Sequence, residues 1–93
     1  MKYEIMFIVR HNLEEGDLNA VVKNFEEVLS KNCAKIESTK EMGQRQLAYE
    51  INKHKSGYYY LYEISSKDDK AEKEFNRLAN QSEDVIRHMI IRL

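Results

Sequence analysis

Residues 3–9 alternate strictly: Tyr3, Ile5, Phe7 and Val9 fall on one side of an extended chain, and Glu4, Met6 and Ile8 on the other. Period-two placement of β-branched and aromatic residues predicts a strand. Its second side constrains the fold most, because only Glu4 is charged there. A strand that is apolar on both sides belongs in the interior of a sheet, one face covered by its own fold and the other by that fold or by a partner.

The rest of the chain supplies the layers. Leu18, Val21, Val22, Phe25, Val28 and Leu29 recur at helical spacing after the polar stretch Arg10–Asp17 and predict an amphipathic helix ending near Asn32, a residue that tolerates left-handed backbone. Residues 34–51 read as a long strand with Leu47, Tyr49 and Ile51 on one face, and the polar residues 52–57 turn it into a second strand, Tyr58–Ile64. With Glu63 outward, parity buries Tyr58, Tyr60, Tyr62 and Ile64 and leaves Tyr59 and Leu61 on the open side. Asp68 or Asp69 caps a second helix with Ala71, Phe75, Leu78 and Ala79 along one stripe, and residues 85–93 form a last strand. The order βαββαβ predicts an α+β fold, the ferredoxin-like split βαβ sandwich: a four-stranded antiparallel sheet with two helices on one face.

Ninety-three residues, 42% hydrophobic and 33% charged, suit a single domain over 1–93. No apolar run approaches the roughly 20 residues of a membrane span, and no signal-peptide pattern follows Met1. A cytoplasmic chain is expected. The lone Cys33 has no partner for a disulfide and fits a helix-to-strand corner, while His11, His54 and His88 lack ligand spacing, so neither a metal nor another cofactor is expected.

The net charge of −1 conceals a segregation. Residues 13–31 carry five acids against two lysines and residues 67–84 six acids against four bases, whereas the strand segments 40–57 and 85–93 each hold two more bases than acids. Acidic helices therefore face away from any polyanion that the strands and loops meet.

Catalysis finds no support. Small acyl-phosphate hydrolases share this topology, but they need a Gly-rich, Arg-bearing loop after the first strand, and here that loop holds Glu14, Glu15 and Asp17 with Gly16 alone. No nucleotide fingerprint occurs, no triad is spelled out, and no small-molecule substrate is implied. An RNA reading fares better: Arg45, the loop Lys53-His54-Lys55 and Arg87 offer cations for phosphates, and Tyr3 and Tyr59 offer rings for stacking. The tyrosines at 58, 60 and 62 lack an RNP1 pattern and read as core. With the first strand between the third and fourth, Met6, Ile8, Tyr59, Leu61, Met89 and Ile91 form one bare apolar patch on the sheet face away from the helices, which predicts a protein partner.

Three blocks carry a family resemblance: residues 2–9 (KYEIMFIV), residues 43–53 (GQRQLAYEINK) with Gly57-Tyr58-Tyr59 after them, and residues 84–92 (DVIRHMIIR). In order and spacing, over essentially the whole chain, they resemble the bacterial small-subunit ribosomal protein S6 family. The resemblance implies a structural, non-enzymatic protein of the ribosome that binds the central domain of the small-subunit ribosomal RNA as a heterodimer with ribosomal protein S18. It also implies RNA contacts at Lys2, Tyr3, Arg45 and Arg87, with Lys53 and Arg92 as further candidates. The chain departs from many members at Glu50, where they have Pro, at Gln44 and Gln46, where they have basic or aromatic residues, and at Cys33, where they have Gly. The competing reading is a ferredoxin-like ligand-sensing or interaction domain whose open face pairs with a second copy.

Overall fold

The computed structural model describes residues 1–51 and 54–93, without the side chains of Ala48, Tyr49, Ile51 and His54. Along the chain run β1 (Lys2–Arg10), α1 (Glu15–Lys31), β2 (Lys35–Ile51), β3 (His54–Ser65), α2 (Lys70–Gln81) and β4 (Val85–Arg92). The strands form one antiparallel sheet in the order β2-β3-β1-β4. This is the ferredoxin-like arrangement, with β1 flanked on both edges as its two apolar sides require. Among the described residues no helix is long and apolar enough to cross a membrane.

Both helices pack on the side of the sheet carrying Tyr3, Ile5, Phe7 and Val9, and they bury Leu18, Phe25 and Leu29 from α1 and Ala71, Phe75 and Ala79 from α2. Phe7 is the centre of this layer. Its ring lies 5.2 Å from Phe25, 5.2 Å from Tyr60 in a stacked pair, and 5.7 Å from both Tyr62 and Phe75. Tilted and offset contacts of this kind add to the burial energy of the rings. The buried Tyr62 hydroxyl donates to Glu26 Oε1 at 3.0 Å, tying the sheet to α1. Burial and that carboxylate push the phenol well above its ordinary value, so it stays a donor.

Several boundaries differ from the sequence expectation, each for a local reason. Helix α1 starts at Glu15, with acids in its first turn as expected, the Leu18 amide donating to the Glu14 carbonyl at 2.9 Å. At the other end the left-handed residue is Cys33, φ 64°, and not Asn32, φ −96°. The Ala34 amide reaches Leu29 O at 3.0 Å and the Cys33 amide reaches Ser30 O at 3.1 Å, the paired bonds of a Schellman stop, with buried Ala34 and Leu29 as its apolar contact. Cys33 thus stands at the expected helix-to-strand corner, exposed. At α2 the Lys70 amide donates to Asp68 Oδ1, while Asp69 turns to pair with Lys73 at 3.2 Å.

The strands of the β2–β3 hairpin run further than expected, because β3 begins at His54 and takes in the polar residues 55–57. The β2–β3 pairing shifts register three times, between Ile36 and Ser38, between Glu41 and Gly43, and between Gln46 and Ile51, and each of the first two inserts one residue on β2. Gly43 takes the second at φ 77°, a conformation that suits a residue without a β-carbon. A fourth shift, in the β1–β4 pairing, inserts Ile86 into β4 opposite Ile8 and Val9.

Candidate protein and nucleic-acid interface

Register defines the sheet face that the helices leave open. Across β2, β3, β1 and β4 its residues line up in rows: Ser38, Glu63, Glu4, Ile91; then Lys40, Leu61, Met6, Met89; then Gly43, Tyr59, Ile8, Arg87; then Arg45, Gly57, Arg10. The middle two rows are the apolar stripe. Met89 and Ile91 are 40% and 45% exposed, and Met6, Tyr59 and Leu61 are half-buried.

Ile8 departs from the expectation of a contact surface. It lies on the open face by register, but it is only 4% exposed, closed over by its own strand neighbours. A β-carbon built on Gly57 would come 2.5 Å from Ile8 Cγ2 and 3.4 Å from Ile86 Cδ1, so both isoleucines lean into the space that Gly57 leaves. Ile8 is the floor of the patch, and Ile86 is an open-face residue that sequence reasoning missed. Parity counted from Arg87, Met89 and Ile91 put Ile86 with the core; the inserted residue reverses that and buries Val85 instead.

The candidate cations fall at two ends of the sheet. Arg45 and Arg87 are exposed at one end, together with Arg10, whose Nε donates to Asp84 Oδ1 at 2.8 Å and whose Nη1 donates to Asn12 Oδ1 at 2.8 Å. Arg45 and Lys55 line a hollow of about 610 Å³ beside this end. Lys2 and Arg92 sit at the other end, six and five residues of β1 from the Ile8 row, about 17–20 Å at strand rise. Lys53 lies outside the described residues.

Tyr3 and Arg92 need a correction of place. Tyr3 is on the helix side and 0% exposed, so no base can stack on it. Its hydroxyl donates to Met1 Sδ at 3.2 Å and accepts from Arg92 Nη2 at 3.3 Å, and the Arg92 guanidinium lies 5.7 Å from the ring centroid. The hydroxyl holds Arg92 firmly in its charged form. Arg92 therefore belongs to the edge of the core layer, away from the face that presents Arg45 and Arg87. The alternation in residues 3–9 already carried this signal for Tyr3.

The helices present their carboxylates on the opposite layer, where Glu14, Glu15, Asp17 and Glu27 are all exposed. Among the described residues no group of three His, Cys, Asp or Glu side chains is placed to hold a metal ion. What the open face offers is an apolar stripe with arginines spread across one end, Arg45 on β2, Arg10 on β1 and Arg87 on β4. Such a surface suits docking.

Comparison with known proteins agrees with this geometry. The family model described as "Ribosomal protein S6" matches residues 2–92. Among solved structures, the crystal structure of 30S ribosomal protein S6 from Thermotoga maritima superposes with a TM-score of 0.92 at 27% identity, covering 99% of this chain and 86% of that one. The chain belongs to the ribosomal protein S6 family, and with it to the proteins of the small ribosomal subunit.

Proposed function

We propose that the chain binds the central domain of small-subunit ribosomal RNA as a heterodimer with ribosomal protein S18 during subunit assembly in the cytoplasm, with no covalent chemistry. The observation that carries this reading is the adjacency, on one sheet face, of the apolar rows around Met6, Leu61 and Met89 and the cationic end formed by Arg45 and Arg87. The protein partner takes the apolar rows and the phosphates take the arginines, with Lys2 a further phosphate contact at the far end. Phosphate contacts position a protein on RNA, and the partner adds the surface that three or four cations alone do not supply.

Titration of a central-domain RNA fragment with the chain alone and with S18 tests the reading. Weak binding alone and binding at least tenfold tighter with S18 is expected; equal affinity in both arms overturns it. Sedimentation of the free chain separates this from the self-pairing reading, which requires a stable dimer without RNA.

A further inference from the structure

The two ends of the open face beyond its apolar rows carry different charges, and this difference specifies what a partner must carry. Glu4 on β1 and Glu63 on β3 are directly opposed Cα partners on that face, one row beyond Met6 and Leu61. Carboxylates facing each other across a strand pair repel. Lys2, Lys35 and Lys40 flank this row, yet among the described residues none of them forms an ion pair with either glutamate. Glu4 is half-buried on the central strand beside Met6 and Ile91, so covering this face removes water from a carboxylate that has a second carboxylate as its neighbour. Covering it with apolar groups alone is costly.

We propose that the protein seated on Met6, Leu61 and Met89 places an arginine or lysine side chain between the Glu4 and Glu63 carboxylates, so that this pair sets the direction in which the partner lies on the sheet. Arg45 at the opposite end repels the same cation. The two ends together admit one orientation and disfavour its reverse, which is how charge contributes specificity at an interface. This rests on the reading that S18 occupies the face, and it adds which part of the face reads S18 charge.

The test compares wild type with E4Q/E63Q, which keeps side-chain size. Binding to S18 should weaken about tenfold in the variant and lose much of its salt dependence; unchanged affinity and slope overturn the inference. If wild type does not bind S18, the functional reading fails, and the charge inference is read from a second arm. There the isotope-labelled chain is titrated with two extended peptides, alternating Leu with Arg and Leu with Glu. Resonances of Glu4, Glu63, Met6 and Leu61 should shift with the Arg peptide and not with the Glu peptide, and equal responses overturn it. A dimer of the free chain that disappears in E4Q/E63Q also overturns it, because the cation then comes from Arg87 of a second copy.

Discussion

Ile8 Cγ2 fills the space beside Gly57 that any larger residue at position 57 needs. A β-carbon there would meet it at 2.5 Å and would also lie 2.9 Å from the Val9 carbonyl oxygen. The glycine is required by close approach between β1 and β3. Gly57→Ala should therefore destabilise the chain by about 1–3 kcal/mol through overpacking against backbone, read as a lower denaturant midpoint at unchanged slope. An unchanged midpoint means the strands part at no cost.

Cys33→Gly should have the opposite sign. The left-handed φ of 64° penalises a residue with a β-carbon, and glycine at the Schellman position escapes that penalty. A gain of about 0.5–1 kcal/mol in unfolding free energy is expected, reduced from the full penalty by glycine's own entropy in the unfolded chain. Loss of stability would show that the thiol contributes contacts which its exposure does not suggest.

His88 gives the fold a dependence on pH. Its ring meets Phe75 edge-on at 6.3 Å, and its Nε2 lies 2.7 Å from Asn76 Oδ1. Partial burial lowers its pKa from 6.5. The unfolded chain then takes up this proton at a higher pH than the folded one. The contribution is complete above pH 6.5 and is lost as pH falls through the lowered folded value. Thermal midpoints of wild type and His88→Gln should diverge in that acidic window beyond their neutral-pH difference, since every other group is common to both. A constant difference refutes the assignment.

Tyr3→Phe and Arg87→Ala separate a core role from a contact role. The first removes the hydroxyl that bridges Met1 and Arg92, and should cost about 0.5–1.5 kcal/mol of stability while leaving RNA affinity of the S18 complex unchanged. The second should leave stability nearly intact and reduce the salt slope of RNA binding by about one. Loss of RNA affinity in Tyr3→Phe without loss of stability returns Tyr3 to the contact set.

Strand β1 and the tyrosines of β3 were legible because one face of each is buried, and burial writes itself as period two. Tyr58, Tyr60 and Tyr62 all lie on the helix side, as parity required. The same alternation placed Tyr3 in the core, against its reading both as a stacking ring for RNA and as a contact implied by the family resemblance. Residues 54–57 read as loop because they lie near the hairpin end, at and beyond the last row that β1 covers, where pairing continues without an apolar pattern to announce it. The extra residues at Met42 and Ile86 were invisible for a related reason: an inserted residue changes which side later residues face without changing composition. Asn32 and Cys33 are neighbours at a helix end, and local preference names the asparagine. The Schellman bonds from Cys33 and Ala34 moved the left-handed position one residue on.

The separation of exposed acids on the helix layer from Arg45 and Arg87 on the strand layer has a kinetic consequence. A chain of net charge −1 feels almost no overall pull toward a polyanion, but a molecule with its charges divided between opposite sides feels a torque. Near a nucleic acid it is rotated before it touches, guanidinium end foremost, and fewer collisions are wasted in the wrong attitude. Raising the ionic strength should then slow the encounter by scrambling that approach angle, even though the protein's total charge is almost nil.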